Sequence, residues 1–139
     1  MAVSQVTWTK QQQAAIQSRS GSLIVSAAAG SGKTAVLVQR VLEWITDPKD
    51  PCGIDELLVV TFTNAAAAEM RSKISDELHR RLAERPEDSG LRRQLALLGS
   101  SRIQTVHSFC QSLLREHFSL CGVDPDFRLA DETQCALLK

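Results

Sequence analysis

No segment narrows the possible folds more than Ser22 to Arg40, SLIVSAAAGSGKTAVLVQR. It opens with apolar, partly β-branched residues suited to a buried strand and passes through small, flexible ones. From Thr34 onward it carries apolar residues at helical spacing. Strand, tight loop and helix, in that order, are the context of a phosphate-binding P-loop. Small residues let the main chain wrap closely round an anion, successive N–H groups face inward, and the positive end of the helix dipole adds its field. Lys33 would bring a mobile cation to the β- and γ-phosphates, and the Thr34 hydroxyl, one residue on, is placed to hold Mg²⁺. The expected nucleotide-binding residues are therefore Ala27, Ala28, Ala29, Gly30, Ser31, Gly32, Lys33 and Thr34. The first position of G-x-x-x-x-G-K-[ST] is Ala27 instead of glycine, so the turn there has to keep a negative φ. A strand–helix turn with a chance lysine is the plain alternative, and the strand and helix patterns on either side weigh against it.

The chain has 139 residues, one domain's worth, and 43% of them are hydrophobic, enough for a core. Sixteen basic residues balance sixteen acidic ones, so no global field draws in nucleic acid and any such contact has to be local. No run of 18 apolar residues occurs, and the first residues lack the layout of a signal peptide; the expectation is a soluble, cytoplasmic chain without membrane contact. The cysteines, Cys52, Cys110, Cys121 and Cys135, include no C-x-x-C pair and are expected to be buried, reduced thiols. His107, Cys110, His117 and Cys121 resemble metal ligands at first sight. On one helix, Cys110 and His117 are roughly 10 Å apart along the axis, too far to share an ion.

Residues 1–7 read as a flexible start, and Thr9 as the cap of a helix over about Lys10–Ser18. After the P-loop, Leu37, Val41, Trp44 and Ile45 are expected on the inner face of a helix that ends at Thr46-Asp47-Pro48. Leu57-Leu58-Val59-Val60, within a strand over Ile54–Phe62, is fully apolar and suits a parallel strand covered on both faces. A helix is expected from about Ala65 to Ala83, with Met70, Ile74, Leu78 and Leu82 on one face, then a short one over Leu91–Leu98 and a brief strand at Arg102–Gln104. Thr105 opens a further helix whose Val106, Phe109, Cys110 and Leu113 stripe should face the core, with a stop near Cys121-Gly122. About three strands alternating with helices argue an α/β three-layer domain with a parallel sheet.

Trp8-Thr9-x-x-Gln12-x-x-Ala15-Ile16, the P-loop, Leu57–Arg71 and Thr105–Cys110 occur in the order found in UvrD/Rep-type helicases, and the chain from about Trp8 to Lys139 resembles their N-terminal part. TFTNAAAAEMR, LRRQLALL and FRLADET look more specifically like the AddA branch of helicase–nucleases; Asn64 followed by alanines fits that branch better than RecB-type chains. The resemblance implies a truncated RecA-like P-loop NTPase domain (the first half of helicase domain 1A) over residues 8–126, with residues 127–139 opening the next helical segment. It also implies an ATP-dependent, 3′-to-5′ DNA helicase acting in double-strand break repair and recombination, with ATP and Mg²⁺ as cofactors. The implied partners are DNA ends, single- and double-stranded, and a second, AddB-like chain.

The resemblance also suggests roles for particular residues. A glutamine amide offers the donor and acceptor that adenine's N7 and N6 require. Gln11, Gln12 and Gln13 are chemically equal candidates, and only the family spacing selects Gln12. Phe62, Thr63 and Asn64 would lie beside the tracking single strand, with Phe62 stacking on a base and the helix start binding phosphate; the plain alternative makes Phe62 core and Thr63 a cap. Thr105 and His107 resemble a second DNA-contact element. The family more often has lysine at the position of Ala65, so that charge contact is missing. Asp131-Glu132-Thr133-Gln134-Cys135 looks like a D-E-x-Q-D signature, but Phe127-Arg128-Leu129-Ala130 before it is interrupted by charge and Cys135 replaces the last aspartate; it is expected to open a helix and not to be catalytic. The chain would then lack catalytic carboxylates and act as a cradle with negligible turnover. A nucleotide-dependent interaction module and, more remotely, a P-loop kinase are the other classes compatible with the loop.

Overall fold

The computed structural model describes residues 7–130, 134 and 136. Thr9 caps the first helix, α1 (Lys10–Gln17), through a reciprocal capping box with Gln12. The loop that follows ends at Gly32, whose left-handed backbone leads into α2 (Lys33–Ile45). A single 3₁₀ turn, Ile54–Glu56, precedes strand β1 (Leu58–Thr61). The long helix α3 (Asn64–Glu84) and the shorter α4 (Ser89–Leu97) then lead back to β2 (Arg102–Thr105), followed by α5 (Val106–Glu116) and one turn, α6 (Phe118–Cys121). Gly122, at φ 63°, closes that turn.

β1 and β2 are parallel neighbours in register from Leu58↔Arg102 to Thr61↔Thr105. The crossover between them is α3–α4. One face of this ribbon is packed: Val59 and Ile103 meet Met70, Ile74 and Leu78 of α3, Leu42 and Ile45 of α2, and Leu91 of α4 in one core cluster. Removing side chains such as Ile74 and Leu78 from water is worth about 1.5–3 kcal/mol each, which adds to the helix preference of an α3 sequence rich in Ala, Glu, Arg and Leu. A second, smaller cluster joins α1 to α2 through Ala15, Ile16 and Val36, with Trp8 alongside.

Several expectations are corrected here. The stretch Ser22–Ser26 forms no strand: a parallel strand exists only through a ladder, and no described residue supplies one, so Ile24 is 93% exposed and Leu23 and Val25 about half so. The sheet has two paired strands among the described residues, not three. Leu58 and Val60 are half-exposed, so β1 is covered on one face only. The α5 stripe does not face a core either: Val106, Cys110 and Leu113 are exposed and Phe109 only part-buried, as Leu37 and Trp44 also stand outside the buried face of α2. The thiols of Cys110 and Cys121 are exposed, and Cys52 is part-buried, its thiol pushed up from the ordinary value by desolvation. Cys135 lies outside the described residues.

Candidate nucleotide and nucleic-acid site

The loop between Ser26 and Lys33 is shaped by two glycines. Gly30 has φ 76° and Gly32 φ 82°, a region that L side chains enter only with strain. No described non-glycine residue has positive φ, so Ala27, Ala28 and Ala29 take the backbone their side chains allow, as the Ala27 departure requires. The loop is exposed throughout. Lys33 Nζ folds back and donates to the Ala27 and Ala28 carbonyls, both at 2.7 Å. Ser31 N donates to the Ala28 carbonyl at 3.3 Å, which tightens the turn.

Between α1 and this loop lies a cleft of about 320 Å³. Gln12 and Ala15 form one wall, and Ala27, Ser31 and Lys33 form the other. Of the three equivalent glutamines, Gln12 is the one whose amide reaches the loop among the described hydrogen bonds: Nε2 donates to the Ser31 carbonyl at 3.3 Å, while Oε1 accepts from Thr9 N at 2.9 Å. Thr34, exposed, stands in the first turn of α2, where main-chain N–H groups have no i−4 carbonyl inside the helix. A lysine, free helix-start amides and small residues suit an anionic ligand, and no carboxylate among the described residues lines the cleft. A triphosphate with Mg²⁺ fits that donor set once the Lys33 ammonium leaves its two carbonyls.

The second group of residues is assembled by the sheet. Because Thr61 and Thr105 are register partners, Phe62–Asn64 and Val106–His107 leave the same edge side by side, and α3 and α5 both begin there. Phe62 is 95% exposed, so it is not core. Thr63 does cap α3, accepting from Ala66 N at 3.1 Å, and the Thr61 hydroxyl donates to the Thr63 carbonyl at 2.9 Å. Thr105 is buried; its hydroxyl accepts from Ser108 N at 3.1 Å and shares a hydrogen bond with Ser108 Oγ at 2.8 Å. The outward-facing residue of that pair is therefore His107. Ser108 is the member of this group that sequence reasoning misses, although Thr-x-x-Ser at a helix start is a cap spacing.

No group of three or more potential ligands able to hold a metal occurs among the described residues. Asp131 and Glu132 lie outside the described residues.

A glycine-shaped loop closed by a lysine, facing a glutamine on the preceding helix, and a parallel pair of strands that launches two helices from one edge define the chain's class. It belongs to the UvrD/REP helicases: the UvrD/REP helicase N-terminal domain matches residues 8–139. Within them it is similar to AddA proteins, in their N-terminal part. It is 56% identical to the AddA-type ATP-dependent helicase/nuclease chain of Pelotomaculum thermopropionicum over 132 residues, 95% of this chain and 10% of that one. With the protein of the same description from Clostridium acetobutylicum it shares 51% identity over 139 residues, all of this chain and 11% of the other. The counterpart from Clostridioides difficile is 53% identical over 132 residues, again 10% of its length. The chain thus spans about a tenth of the length of the curated relatives it matches.

Proposed function

We propose that this chain is the ATP-binding and single-stranded-DNA-contacting part of one component of an ATP-dependent helicase/nuclease. The observation that carries the reading is the cleft in which Lys33 and the glycine-shaped loop face Gln12 across a space that no carboxylate among the described residues lines. ATP would lie with its phosphates along Ala27–Thr34, Mg²⁺ would be held by the Thr34 hydroxyl, and the remaining donor and acceptor of the Gln12 amide would meet adenine. Phe62, Thr63, Asn64, Thr105 and His107 would grip a single strand along the common edge of β1 and β2, mainly through Phe62 stacking and helix-start amides, with the hydroxyls of Thr63 and Thr105 shaping the turns they cap.

In the larger assembly, nucleotide-driven closing and opening would alternate the grip of these elements and move the strand 3′ to 5′, unwinding DNA ends in the cytoplasm for break repair and recombination. An AddB-like chain would be the second component. On its own, this chain would bind Mg·ATP and DNA weakly and turn ATP over negligibly, because hydrolysis needs groups beyond a phosphate cradle.

The test is binding of a fluorescent ATP analogue with Mg²⁺, with and without single-stranded DNA, to this chain and to Lys33→Ala. Loss of a charge-assisted contact should weaken binding roughly tenfold or more, and DNA should shift the affinity of the unaltered chain. Absence of any binding by the folded chain would reject the nucleotide-site reading, and substantial DNA-stimulated hydrolysis by this chain would reject the negligible turnover.

A further inference from the structure

We propose that Gln12 is a positioning residue of the phosphate cradle, acting whatever base the nucleotide carries. The inference rests on the nucleotide-site reading above and adds to base recognition a second role for the same side chain. Gln12 is fixed to the scaffold at one end. Its main-chain N–H donates to Thr9 Oγ1 at 3.3 Å, and its Oε1 accepts from the main-chain N–H of Thr9 at 2.9 Å; the second bond, which needs no Thr9 side chain, holds the amide at the start of α1. That helix is fastened to α2 by Ala15, Ile16 and Val36. At the other end, Nε2 holds the Ser31 carbonyl at 3.3 Å.

The Ser31 carbonyl and the Gly32 N–H belong to one peptide plane, which is trans, so they face opposite ways and fixing one fixes the other. Rotation of this plane turns on ψ of Ser31 and φ of Gly32, and Gly32, at positive φ, carries no side chain to resist it. The only side chain seen to restrain the plane's carbonyl, among the described hydrogen bonds, is Gln12. The contact is close: a Cβ placed on Gly32 would stand 3.6 Å from Gln12 Nε2. An anion cradle works through N–H groups held ready in one direction, and a peptide free to flip loses one of them and costs entropy on binding. Gln12 therefore pre-sets the amide immediately before Lys33.

The measurement is competition of inorganic tripolyphosphate, which has no base, and of ATP against a fluorescent ATP analogue, with Mg²⁺ throughout. The unaltered chain, Gln12→Ala and Thr9→Ala are compared, with far-UV circular dichroism to check α1. Gln12→Ala should weaken tripolyphosphate by about threefold to tenfold, the effect of one hydrogen bond, and ATP by at least as much. Thr9→Ala removes the hydroxyl half of the capping box but leaves the Gln12 amide, so it should bind tripolyphosphate like the unaltered chain. The Gly32 ¹⁵N resonance, which responds to hydrogen bonding at the preceding carbonyl, should move in Gln12→Ala and stay in Thr9→Ala. Unchanged tripolyphosphate binding with weakened ATP binding in Gln12→Ala would leave base reading alone and overturn the proposal. An equal loss in Thr9→Ala would also overturn it, by tracing the effect to the helix cap. No binding of either ligand by the unaltered chain would instead bring down the nucleotide-site reading beneath it.

Discussion

Gln94 Oε1 accepts a hydrogen bond from the main-chain N–H of Ile54 at 2.9 Å, forty residues away, and both residues are buried. The same amide donates through Nε2 to the Ile45 carbonyl at 3.0 Å and the Cys52 carbonyl at 2.9 Å. One side chain thereby ties the end of α2, the loop after it and the entry to β1 onto α4. Gln94→Leu keeps similar volume but strands one N–H and two carbonyls in a dry environment. The expected loss is about 2–4 kcal/mol in urea-induced unfolding, with the denaturant slope unchanged. A loss under ~0.5 kcal/mol would mean that water or another donor takes over the three groups.

Phe62 and Thr63 are neighbours with opposite commitments. The Phe62 ring is 95% exposed, so Phe62→Ala should leave the melting temperature almost unchanged while weakening single-stranded DNA binding by about 1–3 kcal/mol, the worth of one stacked base. The Thr63 hydroxyl caps α3, so Thr63→Ala should cost about 1 kcal/mol of stability whether or not DNA is present. Fluorescence anisotropy with a labelled oligonucleotide and thermal melts of both variants separate the two effects. Equal DNA affinity for Phe62→Ala and the parent chain would remove the ring from the interface.

The contrast between those two residues also shows what a sequence conveys. Thr9 as a cap, Thr63 as the cap of the plain alternative, and the buried Met70–Ile74–Leu78 stripe of α3 all depend on interactions within a few residues or on one regular period, and each is legible. Leu23–Val25, Leu58, Val60, Val106 and Leu113 carry equally apolar patterns, yet burial needs a neighbour, and no described element covers them. Pattern records the capacity for burial and not the presence of the covering surface. Gln94 is illegible for the opposite reason: a polar residue in a polar helix looks solvated until three distant main-chain groups are seen to converge on it. At the candidate site, spacing and resemblance nominate the loop residues and Gln12, but the contact between Gln12 and Ser31 joins segments nineteen residues apart and emerges only in the fold.

Gly32 offers a local test of loop geometry. Its φ is 82°, and an added Cβ meets only ordinary packing distance, so Gly32→Ala is opposed by the backbone conformation and not by a clash. Holding alanine in the left-handed region costs roughly 1–2 kcal/mol, which the exposed loop can relieve by changing shape. Mg·ATP binding should therefore fall by about fivefold to thirtyfold while the unfolding midpoint, set by the distant core, shifts little. Titration calorimetry beside a urea melt checks both halves; unimpaired binding would show that the left-handed turn is not needed for the bound loop.

Glu77 supplies a pH signature for the joint between α3 and α2. Arg80 holds its carboxylate with bonds of 2.8 and 2.7 Å, and Arg81 Nε adds one of 2.8 Å; these hydrogen bonds outweigh partial burial and bring the Glu77 pKa down from 4.5 to about 2. Arg81 in turn donates to Thr46 Oγ1 at 3.0 Å, so the ion pair orients the link to the end of α2. The folded state favours ionised Glu77, so the stabilisation is present in full above the unfolded value, near pH 4.5, and is lost as pH falls from there toward 2. Arg80 is well exposed and solvent screens the pair, so its worth is about 1 kcal/mol. Glu77→Gln should lower stability by that amount at neutral pH, with the gap to the parent chain closing progressively below pH 4.5 in urea titrations run at stepped pH. A gap that persisted unchanged near pH 2 would show that the carboxylate charge is not its source.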